Sequence, residues 1–209
     1  MCRLVYRILF TKDLMPDFNN IRLAIIGMGY VGLPLAVAFA EKRKVLGLDT
    51  NKTRVQQLRE GVDVTNEVAS GKLHSLTNIS FTDNLKDIEN CNCFIVTVPT
   101  PVDESKKPDL LPLIQATRNI ASILKKGDVV IYESTVYPGV TEEVCAPILE
   151  EEAGLTYNKD FYCGYSPERI NPGDKEHTLS AIKKITSGST EEAAEFVDSI
   201  YTEIVEAGT

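Results

Sequence analysis

Three closely spaced glycines follow the first apolar run of the chain. Residues 27–32 are Gly-Met-Gly-Tyr-Val-Gly, directly after the apolar residues 21–26. At this spacing Gly27 permits a tight turn off a strand, Gly29 lets the backbone approach a pyrophosphate, and Gly32 lets helix and strand pack closely. The apolar residues 33–40 then predict a helix, whose free N–H groups and positive dipole end favour phosphate. The pattern predicts a strand–turn–helix unit that binds a dinucleotide.

An acidic residue closes the next apolar run. Residues 44–48 predict a second strand, and Asp49 follows it seventeen positions after Gly32. A carboxylate at this strand tip accepts hydrogen bonds from a ribose diol, as in proteins that bind NAD. The alternative is a glycine-rich turn that serves packing alone.

Apolar runs alternate with amphipathic stretches over the rest of the chain. This alternation predicts an α/β fold, a doubly wound and mostly parallel Rossmann-like sheet in a single domain. Strands are predicted at residues 21–26, 44–48, 79–82, 91–98, 128–133, 161–165 and 184–186. Helices are predicted at residues 33–40, 51–60, 110–124, 141–152 and 190–204.

Composition limits the classes of binding partner that are expected. The chain has 209 residues, 43% of them hydrophobic, and a net charge of -8, which disfavours nucleic acid. No apolar run approaches membrane-spanning length, so no membrane partner is expected. Five cysteines without metal-type spacing are predicted to be small buried residues of a reduced, cytoplasmic protein, against zinc or disulfide roles.

Chemistry in such a sheet belongs at the carboxyl ends of the strands. Three loops that follow predicted strands have unusual sequences: residues 99–101 (PTP), 134–139 (STVYPG) and 166–173 (SPERINPG). Together with the glycine motif and the segment KKITSG, they resemble the UDP-glucose/GDP-mannose dehydrogenase family over residues 20–209. The form SPERINPG, in place of the NPEFLAEG of the UDP-glucose enzymes, favours the branch of bacterial UDP-N-acetylhexosamine 6-dehydrogenases, such as those for the Vi antigen polysaccharide.

The resemblance implies a four-electron oxidation of a C6 hydroxyl to a carboxylate, with NAD as cofactor and a UDP-N-acetylhexosamine as substrate. It implies acid/base and hydrolytic roles for Glu168 and a hydrogen bond from Thr135 to the same water; the alternative for both is a strand-cap hydrogen bond. The implied cofactor-binding residues are Gly27, Met28, Gly29, Tyr30, Val31, Gly32, Asp49, Arg54, Pro99, Thr100, Ser134 and Thr135.

Substrate contacts are implied for the segment that begins at Glu168. Arg169 and Asn171 replace the apolar pair of the UDP-glucose branch, and Ile170 lies between them. The alternative is an exposed loop of charged residues.

The resemblance also divides the chain. Residues 1–20 are expected to be a disordered or mis-started N-terminal arm, and residues 21–209 the NAD-binding domain. The family's central helix, its sugar-binding C-terminal domain and its nucleophilic cysteine are not found in this sequence, so the chain alone is expected to be inactive. The full-length protein is expected to be a homodimer. Two alternatives stay open, another Rossmann dehydrogenase of the β-hydroxyacid type and a non-enzymatic NAD(H)-sensing domain.

Overall fold

The computed structural model describes residues 15–102, 107–168 and 182–209. Within these residues one seven-stranded sheet has the order β3-β2-β1-β4-β5-β6-β7. All neighbouring strands are parallel except β6 and β7, which are antiparallel. The order of the first six strands is that of a dinucleotide-binding doubly wound sheet, so the predicted fold is confirmed.

The elements lie close to their predicted positions. The strands are β1 Leu23–Ile26, β2 Val45–Leu48, β3 Ile79–Thr82, β4 Cys93–Val96, β5 Val129–Tyr132, β6 Tyr162–Tyr165 and β7 Ser187–Gly188. The helices are α1 Gly32–Ala40, α2 Lys52–Arg59, α3 Ser70–Ser75, α4 Leu111–Ala121, α5 Ala146–Ala153 and α6 Glu191–Thr202. A π-helical turn, Thr141–Cys145, leads into α5, where the sequence predicted one continuous helix.

The sheet is covered on both faces. One apolar cluster joins α1, α2 and α6 to the sheet, and a second joins α4 and α5 to the opposite face. The central strands β1, β4 and β5 are buried at every position, which explains why their sequences are continuous apolar runs rather than alternating ones.

The last strand corrects a prediction. The sequence favoured a strand at residues 184–186, but the pairing with β6 falls at Ser187–Gly188. A side chain at Gly188 would lie 2.2 Å from the backbone nitrogen of Ala194, so glycine lets this strand lie directly against α6. Ile185, which raised the strand propensity of the predicted segment, is 52% exposed. Close packing therefore decides the register.

The predicted N-terminal arm has two parts. Residues 1–14 lie outside the described residues. Residues 15–20 contain a short 3₁₀ turn, Phe18–Asn20, which the Asp17 side chain caps through the Asn19 amide, and Met15 packs against the core. Among the described residues, no helix is long and apolar enough to cross a membrane.

Strand order reverses between β1 and β4. In open α/β sheets, ligands bind outside the carboxyl ends of the strands at such a point. The turns after β1, β4, β5 and β6 therefore enclose the crevice in which a functional site is expected.

Candidate dinucleotide and acid/base site

The turn after β1 is fixed by two of its glycines. Gly27 has φ +97°, a left-handed conformation that a side chain disfavours. A β-carbon on Gly32 would lie 1.8 Å from the Gly27 carbonyl oxygen and 2.3 Å from Oγ1 of Thr97. The Thr97 hydroxyl donates within this junction, with the Ile26 and Gly27 carbonyls as acceptors at 3.0 and 2.7 Å. Gly32 therefore allows α1, β1 and β4 to meet without a gap.

Gly29 differs from its two neighbours, because a β-carbon there would meet no atom within 4 Å. The space beside Gly29 is therefore open to solvent or to a ligand. Val31, which precedes α1, offers no side-chain cap. Within the first turn Pro34 has no N–H, and the Leu33 and Leu35 amides donate to the Gly29 and Val31 carbonyls, so the amides of residues 30–32 are the donors that face the opening. An open approach beside uncapped amide donors is the arrangement that a bound phosphate requires.

Asp49 clamps the glycine turn to the next strand. Its Oδ2 accepts from the Met28 amide and its Oδ1 from the Asn51 amide, both at 2.8 Å. Each carboxylate oxygen keeps a second lone pair, so Asp49 retains the capacity to accept from a ribose hydroxyl. The Met28 side chain is fully buried in the core, so this residue offers only its backbone to the turn.

Arg54 lies beneath the same turn. Its Nε donates to the Met28 carbonyl at 2.8 Å, and its Nη2 lies 2.8 Å from Oδ1 of Asp63. Burial opposes ionisation of Asp63, but hydrogen bonds from Thr65, Val68 and Arg54 outweigh it and hold the pKa of this carboxyl below its ordinary value. Arg54 Nη1 is buried without a hydrogen-bond partner among the described residues. The guanidinium thus braces the turn from below through Met28 and Asp63.

The ends of β4 and β5 supply small hydroxyl side chains. Ser134 is buried and donates to the Val98 carbonyl at 2.6 Å, which ties the two strand ends together. Thr100 Oγ1 is buried without a partner among the described residues, whereas Thr135 is exposed at the cleft. An unpaired buried hydroxyl is costly, so Thr100 is poised to bind a polar ligand.

Ionisable side chains lie at the ends of β5 and β6. Glu133 is 1% exposed and binds the Lys184 ammonium through one oxygen and the Tyr201 hydroxyl through the other. Burial raises the pKa of the Glu133 carboxyl to about 7, against the opposing effect of Lys184 and Tyr201. Oε2 of Glu168 lies 4.0 Å from the Lys184 Nζ, and the Glu168 side chain is only 6% exposed.

One cleft of about 140 Å³ joins these features. Its lining residues are Gly29, Tyr30, Val31, Thr97, Val98, Pro99, Thr100, Glu133, Ser134, Thr135 and Glu168. A complete small-molecule pocket is typically about 300–1,000 Å³, so this cleft would enclose only part of a dinucleotide. A larger cleft of about 790 Å³, which includes Arg22, Lys44 and Glu203, opens at the amino ends of the strands, away from the glycine turn. We assign the site to the smaller cleft because it combines the start of α1 with the acid/base groups Glu133 and Glu168.

The comparisons with known proteins agree with this geometry. The family model of the UDP-glucose/GDP-mannose dehydrogenase family, NAD binding domain, matches residues 21–205. The chain belongs to this family. NAD is the cofactor of the domain family, and the unpaired Thr100 hydroxyl and the open space at Gly29, both in the cleft, fit such a group.

Relatives within the family are nucleotide-sugar dehydrogenases. The chain is 60% identical over 191 residues to the UDP-N-acetyl-D-glucosamine 6-dehydrogenase of Pseudomonas aeruginosa, covering 91% of the chain and 45% of that protein. The corresponding enzyme of Salmonella typhi is 54% identical, with 93% and 46% covered. The solved UDP-D-ManNAc dehydrogenase of Pyrococcus horikoshii has a TM-score of 0.82 at 33% identity, with 90% and 46% covered. The chain thus spans about half the length of the relatives it matches.

Most residues that the family resemblance implied converge on the cleft, although no contact with a ligand tests their roles. Five of the implied cofactor-binding residues are not among its lining residues: Gly27, Met28, Gly32, Asp49 and Arg54. Asp49 and Arg54 instead bind the backbone of the turn at Met28. Arg169, Ile170 and Asn171 lie outside the described residues.

The sequence analysis missed Thr97, Glu133 and Lys184. A polar residue that ends an apolar strand was the available signal for Thr97 and Glu133. Lys184 gave no such signal.

The cysteines that the structure describes are buried and free. Burial raises the pKa of the Cys91 and Cys145 thiols to about 11, and it raises those of Cys93 and Cys163 as well. None of these four residues lines the cleft. Each is therefore a poor thiolate nucleophile at neutral pH.

Proposed function

We propose that the chain is the cofactor-binding part of a UDP-N-acetylhexosamine 6-dehydrogenase, with NAD in the crevice at the ends of β1, β4, β5 and β6. The observation that carries the proposal is the shared cleft: the glycine turn that suits a pyrophosphate and the carboxyl of Glu168 line the same cavity. A protein that only senses NAD would need the glycine turn but no acid/base group beside it. An acid/base group beside it suits an oxidation catalyst.

In this proposal some residues of the chain bind NAD, and others transfer protons or orient water. The amides of residues 30–32, at the start of α1, would hold the pyrophosphate, while Asp49 accepts from the ribose and Arg54 braces the adenosine side. When bound, NAD supplies the hydride acceptor for each oxidation step. Glu168 would accept or donate the proton at the reacting oxygen, and the exposed Thr135 would orient a water beside it.

The proposal also covers the substrate class, the product and the state of the full-length enzyme. The relatives from Pseudomonas aeruginosa and Salmonella typhi are named for UDP-N-acetyl-D-glucosamine, so a UDP-N-acetylhexosamine is the substrate class that we propose. Oxidation at C6 of such a sugar would yield a uronic acid precursor for a surface polysaccharide. A homodimeric, cytoplasmic full-length enzyme remains the prediction that accompanies this function.

Calorimetric titration of the 209-residue chain with NAD tests the binding half. We expect Gly29→Ala to weaken NAD binding at least about tenfold, because a methyl group would occupy the open approach to the pyrophosphate. Gly71→Ala is the matched control, since a β-carbon there also meets no atom within 4 Å but lies in α3. Equal affinity of the two variants, or no heat of binding to the unaltered chain, would contradict the proposal.

Turnover of a full-length protein that contains these residues tests the acid/base half. Glu168→Gln keeps the shape of the side chain and removes its proton chemistry, so kcat should fall about a hundredfold while NAD affinity stays unchanged. Thr135→Ala should reduce kcat less. Normal turnover by Glu168→Gln would remove Glu168 from the chemistry.

A further inference from the structure

Four ionisable side chains from separate segments meet beneath the cleft. Glu133 follows β5, Glu168 follows β6, Lys184 precedes β7 and Tyr201 belongs to α6. We call these four residues the carboxylate network. Glu133, Lys184 and Tyr201 are at most 3% exposed, so water does not screen their interactions effectively.

Lys184 occupies the centre of the carboxylate network. Its ammonium pairs with Oε1 of Glu133, lies 4.0 Å from Oε2 of Glu168, and lies 5.6 Å from the centre of the Tyr201 ring. The Tyr201 hydroxyl donates to the other oxygen of Glu133. An ammonium has three donors, so its bond to Glu133 leaves donors for the side that faces Glu168.

The carboxylate network contains unequal numbers of positive and negative charges. Two carboxylates share one ammonium, so the fully ionised network carries one excess negative charge. Glu133 accepts from Lys184 and Tyr201 on its interior side, and both Glu133 and Glu168 line the cleft. The negative charge of Glu168 also acts on Glu133, whose pKa burial has already raised to about 7. The two carboxyls are therefore coupled directly, and both also interact with the same cation.

We infer that Lys184 is a positioning residue for Glu168, and that Glu133 and Tyr201 hold its ammonium from the interior. The inference rests on the proposed function, in which Glu168 is the acid/base group of the cleft. Lys184 fixes the Glu168 carboxylate at the cleft wall and offsets part of the repulsion between Glu168 and Glu133. If Lys184 merely filled space, its replacement by an uncharged side chain of similar shape would leave the titration of Glu133 unchanged.

The carboxyl ¹³C signal of Glu133 reports this linkage in the 209-residue chain without NAD. The signal is assigned by its loss in Glu133→Gln, and its titration midpoint is expected near pH 7. The groups that face Glu133 are Lys184, Tyr201 and Glu168, so each contributes to that midpoint. Glu168→Gln removes a negative charge and leaves the ammonium to Glu133, which should lower the midpoint by about 0.5 pH unit or more.

Changes at Lys184 should act in the opposite direction. Lys184→Met keeps the apolar stem but removes the charge, so the Glu133 midpoint should rise by about 1 pH unit or more. Lys184→Arg should restore a midpoint near that of the unaltered chain. Lys183→Met, at the exposed neighbouring lysine, is the control that should leave the midpoint unchanged.

An unchanged Glu133 midpoint in Glu168→Gln would overturn the inference, and this variant decides the matter even where Lys184→Met does not fold. The NAD titration separates the two claims. Loss of NAD binding with the linkage intact counts against the proposed function. Intact NAD binding without the linkage counts against the positioning role.

Discussion

The two ends of the crevice differ in which parts of the chain form them. The glycine-loop end, residues 27–32, consists of backbone held by close contacts, with Gly32 fitted against the Gly27 carbonyl. The opposite end, the carboxylate network, consists of charged side chains that come from four separate elements. At Gly32 nothing larger than glycine fits, so steric contact fixes the first end. The second depends on the balance of charges within a buried site.

The largest expected effect lies in the carboxylate network. Lys184→Met leaves Glu133 buried without its cation, which should cost about 4 kcal/mol of unfolding free energy at pH 8. The double variant Glu133→Gln with Lys184→Met has no unpaired buried charge and should recover most of that loss. Urea denaturation measures both. A single variant as stable as the unaltered chain would mean that the charge pair contributes nothing.

A somewhat smaller effect is expected at the glycine-loop end. The methyl group of Gly32→Ala would overlap the Gly27 carbonyl, and backbone there moves less easily than a side chain, so we expect a loss of about 3 kcal/mol. In Gly29→Ala the methyl group enters open space, so the free energy of unfolding should hardly change. Equal stabilities in urea would show that the loop is not tightly packed.

The stability of the folded chain is expected to depend on pH through two buried carboxyls, of which Glu133 belongs to the carboxylate network. Burial raises the pKa of Glu133 to about 7 and that of Asp128 to about 6, above ordinary values of 4.5 and 3.8. Each folded carboxyl therefore keeps its proton while the unfolded chain has lost it. The stability that these two protonated carboxyls contribute is then fully present below about pH 4, and it falls by a few kcal/mol for each carboxyl as the pH rises to about 7.5. Unfolding in urea at pH 5 and pH 7.5 checks the sign.

Asp128→Asn should flatten the part of this slope below about pH 6, and Gly29→Ala should leave the slope unchanged. A stability that rises with pH over this range would contradict the assignment of the raised pKa values to these carboxyls.

The smallest effect concerns cofactor choice. Asp49 lies at the tip of β2, where its negative charge would repel a 2′-phosphate, so NAD should bind at least about tenfold more tightly than NADP. Asp49→Asn keeps an oxygen for the Met28 amide and should narrow that ratio. Asp83→Asn, after β3, is the control that should not. Calorimetry with both cofactors gives the ratio.

The difference between the two ends also explains which parts of the site the sequence could predict. The glycine-loop end is contiguous in sequence, and each of its residues has a conformational or steric reason to be there, so both the turn and its place after β1 were predictable. Sheet order follows from the same motif together with the alternation of strands and helices.

The carboxylate network could not be predicted in this way. Glu133 and Lys184 are 51 positions apart, and they meet only because β7 pairs with β6. That pairing depends on Gly188 lying against α6, a packing requirement that the strand propensity of Ile185 and Thr186 conceals. Buried charges that are contributed by distant segments leave no local periodicity to detect.

The most direct test of the account is an amide NMR titration of the 209-residue chain with NAD. The central claim is that both ends of the crevice belong to one site. We expect the amides of Gly29, Val31 and Thr135 to shift over the same range of NAD concentration, while those of Arg22 and Lys44, at the amino-end cleft, stay in place. Shifts at Arg22 and Lys44 instead, or at the glycine turn without Thr135, would contradict a shared site.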